Sequence, residues 1–309
     1  MQTLAAGVSY FDLNFQDRPR VIACAVLHGP GGVAIIDPGP SSTLSALHRH
    51  LAAAGIQIAD VTTILLTHIH LDHAGATGTL VRENPKLRVF VHEVGAPHMA
   101  DPGKLIASAT RLYGNAMDRL WGEFAPVPRE AMTTLRGGER IEVGGRTLEV
   151  AYTPGHASHH VSYFSADSGV AFVGDTAGVQ VVPNGFVLPP TPPPDIDLEV
   201  WAHSLSAIER WQAETLLITH FGPASPARPH LTAMRDHLGV VGRLAKQSLA
   251  IDGDDDEKEA WFVDEVRREL RRTLSDTDAA AYEISGRFDL NWRGLARYWR
   301  KKDLSVASR

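Results

Sequence analysis

Four side chains that can bind a metal ion fall within six consecutive positions of this chain: His68, His70, Asp72 and His73. They directly follow Thr62 to Leu66, a short apolar run that predicts a buried strand, and a helix is expected to begin near His73. Residues two apart in an extended loop point the same way. The first two histidines can therefore converge on one ion while Asp72 and His73 turn toward a neighbouring position. The segment predicts a strand, a loop that can serve two ions, and a helix.

Three further candidate ligands lie far along the chain, where loops are predicted to leave sheets. A catalytic ion typically takes about three protein ligands and leaves a position for water, so the first segment is incomplete by itself. The remaining candidates are His156, in a turn after a strand, and Asp175 and His220, each at a strand end. The sequence therefore predicts a metal site of seven residues.

Apolar runs separated by turn residues predict hairpins and strand–helix–strand units. Val21 to Leu27 and Val33 to Asp37 flank a Gly-Pro-Gly-Gly turn, which predicts a hairpin. A helix with leucines at i, i+3 and i+7 follows, with Ser41 or Ser42 as its cap and Gly55 at its end. Further elements are expected in this order: a helix ending before Pro85, a strand at Leu87 to Val91, hairpins at Arg140 to Tyr152 and Val161 to Val173, a helix marked by Leu198, Trp201, Leu205 and Ile208, and the strand Thr215 to Ile218.

Helical patterns dominate two other parts of the chain. Asp101 to Phe124 is helical by composition, and the pattern after His220 becomes wholly helical, with an acidic loop at Asp252 to Glu259. Pro189 to Pro194 lacks backbone donors, so it predicts an extended loop that serves as a rigid wall or spacer. We expect a catalytic domain over residues 1–225, with a helical insertion at about 98–130, and a C-terminal helical extension over residues 226–309 that packs on it.

Composition and charge narrow the function classes. No apolar run approaches roughly 18 residues and the N-terminus has no basic start, which favours a cytoplasmic protein without membrane contact. The formal net charge of -6 disfavours a broad phosphate-binding face, so no nucleic-acid partner is expected. The single cysteine, Cys24, lies in an apolar run and is expected to be a buried small hydrophobe.

The order of these blocks is similar to that of a known family. Together with Asp37, in the run Ile36-Asp37-Pro38-Gly39, they resemble the five motifs of the metallo-β-lactamase superfamily over about residues 20–225. The resemblance implies an α/β fold, an αββα sandwich of two mixed β-sheets flanked by helices, with metal ions in a groove along one edge. By matching position it implies a first ion held by His68, His70 and His156, a second held by Asp72, His73 and His220, a bridging Asp175, and an Asp37 that orients a loop or ligand.

The HxHxDH pattern with a bridging aspartate is similar to glyoxalase II and the acyl-homoserine lactonases. This resemblance implies a hydrolase with two divalent metal ions, zinc by default, with iron and manganese also suited to the ligands. A hydroxide bridging the ions would attack an ester, lactone or thioester bond of a small molecule, and Asp72 would accept or relay a proton as the catalytic residue. Tyr113 is a candidate for polarising the carbonyl of a lactone, with a packing role as the alternative.

Two other enzyme classes remain open at this point. The same hydroxide attacks phosphorus, so a phosphodiesterase or nuclease is one alternative, although the acidic net charge counts against it. An iron-dependent redox enzyme, a dioxygenase or a flavodiiron-like protein, is the other, although no flavodoxin-like pattern follows residue 225. The helices of the insertion and the extension are expected to shape the pocket, with a homodimer contact as the alternative.

The other histidines are expected to have structural roles. His159 and His160 follow His156 closely and are predicted to begin the next strand or line its edge, with substrate contact as the alternative. The remaining ones match no motif and are expected to be structural or solvent-facing: His28, His48, His50, His92, His98, His203, His230 and His237.

Overall fold

Two β-sheets lie face to face in the computed structural model, which describes residues 1–307. The first sheet has seven strands in chain order: β1 (Gln2–Ala5), β2 (Val8–Asp12), β3 (Ala23–Gly29), β4 (Gly32–Ile36), β5 (Val61–Leu65), β6 (Arg88–His92) and β7 (Met132–Leu135). The second has six, also in chain order: β8 (Arg140–Val143), β9 (Arg146–Tyr152), β10 (Val161–Ser165), β11 (Val170–Phe172), β12 (Thr215–Ile218) and β13 (Gly222–Ala224).

Helices cover the outer faces of both sheets. Those before β8 are α1 (Leu44–Ala53), α2 (Leu71–Ala74), α3 (Thr77–Glu83), α4 (Ala96–Ala100), α5 (Gly103–Tyr113) and α6 (Met117–Trp121). Those after β11 are α7 (Leu198–Glu209), α8 (Ala227–Leu249), α9 (Asp255–Arg271), α10 (Asp276–Gly286) and α11 (Phe288–Ala307). Among the helices within residues 1–307, none is both long enough and apolar enough to span a bilayer.

Three buried apolar clusters establish the layering. The cluster between the sheets takes side chains from β2 to β7 on one side and from β8 to β12 on the other. A second cluster joins the outer face of the first sheet to Leu47 of α1 and Leu80 of α3. The third joins the outer face of the second sheet to Trp201 of α7 and Phe262 of α9. The fold is therefore an αββα sandwich with a C-terminal helical region, as predicted.

The candidate ligands lie at strand ends because of this topology. Strands β4 to β7 run parallel to one another, and β11 runs parallel to β12. Parallel strands bring their carboxyl ends to the same edge of a sheet, where loops form binding crevices. The loop after β5 carries His68 to His73, the loop after β11 carries Asp175, and β12 leads directly to His220. Loops from both sheets therefore meet at one edge.

The predicted hairpins β3–β4, β8–β9 and β10–β11 are confirmed as antiparallel pairs. The capping of α1 was predicted wrongly. Ser41 and Ser42 lie in a short 3-10 turn before the helix, and their hydroxyls donate to the carbonyls of Gly75 and Leu120 instead. These serines therefore fasten the start of α1 to neighbouring loops. Cys24 is fully buried, as predicted.

Two predictions for the second half of the chain are wrong. The region after His220 is not wholly helical, because residues 222–224 pair with β12 as β13. A three-residue Gly-Pro-Ala strand contains none of the β-branched residues that mark strands in a sequence. The acidic stretch is not a loop throughout, since α9 begins at Asp255 and Asp254 caps it by accepting the Glu257 N–H. Acidic side chains favour the first turn of a helix, which explains this start.

Candidate metal centre

The seven candidate ligands lie together at the edge of the sandwich. Donor atoms within 4.8 Å of one another form three overlapping groups that could hold a metal ion: His68, His70 and His156; His68, His73 and Asp175; and Asp72, His73 and His220. The first and third groups contain the same residues as the two ligand sets implied by the family resemblance. The loop after β5 contributes to both, as its spacing predicted.

Asp175 lies between these two sets. Its Oδ2 is 3.3 Å from His156 Nε2, in the first set. Its Oδ1 is 3.3 Å from His73 Nε2 and 3.5 Å from His220 Nε2, in the second. The two oxygens of the Asp175 carboxylate therefore lie close to different ligand sets. A bridging ligand needs this geometry. Asp72 joins the second set from the cavity side, with Oδ2 3.3 Å from His220 Nε2.

Hydrogen bonds around Asp37 fix the tautomers of two histidines. His73 Nδ1 donates to Asp37 Oδ2 over 2.8 Å, because a carboxylate can only accept. The Thr67 hydroxyl gives its proton to the same oxygen over 2.7 Å, so it must accept from His68 Nδ1, 3.1 Å away. When either imidazole is neutral, its proton therefore lies on Nδ1 and its Nε2 lone pair faces the centre.

Backbone carbonyls fix the tautomers of two more histidines. His156 Nδ1 donates to the carbonyl of Pro190 over 2.8 Å, and His220 Nδ1 donates to the carbonyl of Val21 over 2.6 Å. Their Nε2 atoms are left for the centre in the same way. His70 approaches from the cavity, with Nδ1 3.0 Å from His156 Nε2.

Unpaired buried atoms indicate that the centre is built to hold a ligand. Within residues 1–307, His68 Nε2, His73 Nε2 and Asp175 Oδ1 are buried without a partner in hydrogen-bond geometry. His73 Nε2 and Asp175 Oδ1 lie 3.3 Å from each other, whereas a buried polar atom with no partner, such as His68 Nε2, costs about 1–3 kcal/mol unless a ligand binds it. Imidazole nitrogens and carboxylate oxygens together suit zinc, iron or manganese. The residues present therefore fit a divalent metal ion.

Burial and charge give the two sets different protonation states. Burial lowers the pKa of His73, but the neighbouring carboxylates, Asp175 foremost, outweigh it and hold that pKa well above its ordinary value. The pKa of His220 is raised against burial in the same way. Burial and the nearby His156 instead lower the pKa of His70 to about 4. In the metal-free protein the second set therefore holds imidazolium–carboxylate pairs, whereas His70 in the first set is neutral.

The two histidines that follow His156 occupy different environments just before β10. His160 is fully buried, and its Nε2 accepts the backbone N–H of Asp175 over 3.2 Å. Its Nδ1 lies 3.0 Å from Thr153 Oγ1, so the ring that holds the backbone of Asp175 is itself held in place. His159 lines the cavity beside the centre. Neither residue begins the next strand, as one form of the prediction had it, because β10 starts at Val161 and both histidines lie just before it.

A cavity of about 730 Å³ opens beside the centre. Its floor includes His70, Asp72 and His220, and its walls come from α5 and α6, from the proline-rich loop and from the junction of α10 and α11. The helical insertion and the C-terminal helices therefore both shape the pocket, as predicted. The proline-rich loop is extended and forms part of the wall, which confirms that prediction too.

Tyr113 also lines this cavity. Its ring packs edge-on against Trp121, with centroids 5.1 Å apart, and burial together with the nearby Asp72 carboxylate raises the pKa of its phenol well above the usual range. The phenol is therefore protonated at neutral pH and can serve only as a hydrogen-bond donor or neutral acceptor there.

Several residues that support the centre were not predicted from the sequence. Thr67 and Thr219 each precede a candidate histidine, and both hydroxyls donate to Asp37. Their positions beside the ligands were the only sequence signal. The carbonyls of Val21 and Pro190 carry no signal, because every residue has a carbonyl.

Comparison with known proteins agrees with the fold. The model of the metallo-beta-lactamase superfamily matches residues 17–220. A metallo-beta-lactamase fold-containing protein, ST1585 of Sulfurisphaera tokodaii, is 28% identical over 240 residues, which cover 76% of this chain and 84% of that protein. A hydroxyacylglutathione hydrolase of Aeromonas hydrophila is 31% identical over 222 residues, which cover 70% of this chain and 69% of that enzyme.

Solved structures show the same architecture. The metallo-beta-lactamase family protein TTHA1429 from Thermus thermophilus superimposes with a TM-score of 0.71 at 24% identity, covering 97% of this chain and 95% of that one. The structure of ST1585 gives a TM-score of 0.63 at 24% identity, covering 94% and 98%. The chain belongs to the metallo-beta-lactamase superfamily.

Proposed function

We propose that the chain is a hydrolase that holds two divalent metal ions, zinc by default, and cleaves an ester, lactone or thioester bond of a small molecule. The observation that carries this proposal is the convergence of four Nε2 atoms around Asp175, each with its Nδ1 engaged elsewhere. Ligands held in advance in this way lose little freedom when an ion binds. The similarity to a hydroxyacylglutathione hydrolase supports acyl chemistry.

The proposed ligands divide between the two ions. His68, His70 and His156 would hold one, Asp72, His73 and His220 would hold the other, and Asp175 would contact both. Bound divalent cations lower the pKa of a coordinated water toward neutrality and polarise a substrate carbonyl. The protein fixes the ligand geometry through Asp37 and through the carbonyls that hold His156 and His220.

Asp72 is the proposed catalytic residue. Its side chain is 25% exposed and lines the cavity, whereas that of Asp175 is only 6% exposed. Burial raises the pKa of Asp72, but the adjacent His73 and His220 outweigh it and lower the pKa to about 2. The carboxylate is therefore ionised at neutral pH. It can accept a proton from the attacking water and return it to the leaving oxygen or sulfur.

A substrate panel tests this function. Zinc-loaded protein is assayed with a lactone, a thioester, a β-lactam and a phosphodiester. We expect turnover of the lactone or the thioester, and a loss of at least about a hundredfold in kcat for Asp72→Ala. His203→Ala, an exposed histidine of α7, is the matched control and keeps full activity. Preference for the phosphodiester would instead support the nuclease alternative, and activity only with iron would support the redox one.

Three further statements remain predictions. They are a cytoplasmic location, the lack of a nucleic-acid partner, and a homodimer contact as the alternative role of the helical regions.

A further inference from the structure

Apolar side chains form a continuous stripe on the cavity wall. On α5, Leu105, Ala109 and Leu112 line the cavity at i, i+4 and i+7, so one face of the helix is turned toward it. This face runs for about 10 Å at 1.5 Å per residue. Leu120 and Trp121 of α6 continue the apolar surface. The wall is therefore long enough to accept an extended apolar group.

Three cations line the same cavity: Arg18, Lys104 and Arg119. All three are exposed, and within residues 1–307 none of them forms an ion pair with a carboxylate. Among the described residues, the Arg119 guanidinium donates a hydrogen bond to the side-chain oxygen of Gln16 alone. Because the whole chain has a formal net charge of -6, a group of unpaired cations at one cavity differs from the average of its surface. Such a group attracts anionic ligands from solution.

The other charges of the cavity wall do not cancel these cations. Arg287 is neutralised by Asp289 over 2.7 Å. Asp195 accepts a hydrogen bond from Ser158 over 2.6 Å and is the one carboxylate that the described lining contains outside the metal centre. Away from the centre, the pocket therefore combines an apolar stripe with a net positive charge.

We propose that the substrate is an amphipathic anion: an ester or thioester whose apolar acyl chain lies along α5 and α6 and whose anionic group is attracted by Arg18, Lys104 and Arg119. The inference rests on the proposed function for the bond that is cleaved. Water adds to the acyl carbon, the bond from that carbon to sulfur or oxygen breaks, and the thiol or alcohol leaves with one of the protons of the water. A fatty or similarly apolar acid is the other product.

Matched thioesters test both halves of this inference. Acetyl, butanoyl and octanoyl thioesters of 3-mercaptopropionate, which is anionic, and of 2-mercaptoethanol, which is neutral, are compared with zinc-loaded protein. We expect kcat/KM to rise about three- to fourfold per added methylene until the stripe is covered. The anionic series is preferred, and this preference falls as ionic strength rises. Leu112→Ala flattens the dependence on chain length.

Charge variants separate recognition from folding. Arg18→Gln and Arg119→Gln each lower the ratio of kcat/KM for the anionic series to kcat/KM for the neutral series by about two- to fivefold. Arg18→Gln does so without touching the contact with Gln16. Arg243→Gln, an exposed arginine of α8 that does not line the cavity, changes neither series.

The outcomes distinguish this inference from the proposed function. Equal turnover of all thioesters would overturn the inference and leave the hydrolase intact. If no thioester or ester is cleaved, the proposed function fails, and calorimetry of two uncleavable thioethers, 3-(octylthio)propionate and 3-(butylthio)propionate, with metal-free protein decides the inference. Tighter binding of the octyl compound, weakened in Arg18→Gln but not in Arg243→Gln, supports it, whereas equal binding of both compounds overturns it.

Discussion

His73 Nδ1 donates to Asp37 Oδ2 over 2.8 Å, which joins the end of β4 to a ligand loop 36 residues later. The same carboxylate accepts the Thr67 N–H over 2.8 Å and the Thr219 hydroxyl over 3.0 Å. Asp37 is only 1% exposed and has a left-handed φ of 51°. One buried side chain therefore ties three strand ends together and sets the direction of a proposed ligand.

The variant Asp37→Asn tests whether these hydrogen bonds of Asp37 position the proposed ligand. Asparagine tolerates the left-handed backbone, but its amide brings two donors to a place where donors already converge. We expect zinc affinity to fall by about 10–100-fold and the free energy of unfolding to fall by about 1–3 kcal/mol. Competition with a chelator measures the affinity. Asp60→Asn is the control, because Asp60 lies at the surface, where its side chain accepts the N–H of Gln57. Unchanged zinc affinity in Asp37→Asn would refute the role of Asp37 in orienting His73.

Zinc binding is expected to release protons. The pKa of His73 and that of His220 are raised in the metal-free protein, and metal ligands must be deprotonated. Stability from these imidazolium–carboxylate pairs is fully present below about pH 6.5 and is lost as pH rises through the raised pKa values. The metal-free protein therefore loses stability as pH rises, whereas zinc affinity falls as pH falls through the same range. Calorimetry in buffers of different ionisation enthalpy counts the protons, and no release at pH 7 would contradict the account.

Asn291 of α11 supports His156 through the proline-rich loop. Its Oδ1 accepts the Thr191 N–H over 2.7 Å, and the carbonyl of the adjacent Pro190 holds the imidazole. Asn291→Ala leaves a buried N–H unpaired, so we expect a loss of about 1–3 kcal/mol in unfolding free energy and weaker zinc binding. Asn84→Ala is matched to it, because Asn84 is also buried and donates to two carbonyls near β5. Equal zinc affinity in both variants would show that Asn291 does not position His156 through the proline-rich loop.

Gly174 cannot carry a side chain without displacing Thr67, which holds His68, and His160, which supports Asp175. A Cβ there would lie 2.6 Å from Thr67 Oγ1 and 2.7 Å from His160 Nε2, and φ is +47°. Gly55 has a similarly left-handed φ of +76° but no neighbour within 4 Å of its added Cβ. We expect Gly55→Ala to cost about 1–2 kcal/mol from backbone strain alone. Gly174→Ala loses more stability and also loses zinc affinity. Thermal unfolding with and without zinc separates the loss of stability from the loss of zinc affinity. Equal losses of stability in Gly174→Ala and Gly55→Ala would exclude a crowding role for Gly174.

The candidate ligands could be predicted because their chemistry is concentrated in short segments. His68 to His73 follow a buried strand, and side-chain type and spacing alone indicate two converging sets. The hairpins were equally visible, since runs such as Val33 to Ile36 are rich in β-branched residues and are bounded by glycine. Local pattern was therefore sufficient for the hairpins and for the ligand loop, whereas the sandwich was implied by the family resemblance.

The features that could not be predicted from the sequence depend on contacts between distant segments. The carbonyls of Val21 and Pro190 act through their position, which no side chain encodes. Asn291 resembles any other helical asparagine until α11 packs on the loop. Strand β13 forms because it pairs with β12, and strand propensity depends on such pairing more than on residue type.

The zinc content of the reconstituted protein tests the central claim most directly. We expect about two zinc ions per chain for the unmodified protein and for His203→Ala, and about one for His70→Ala and for Asp72→Ala, since each of these removes a ligand from a different set. One zinc ion or fewer in the unmodified protein, or two in both ligand variants at unchanged affinity, would contradict a centre built from these two sets.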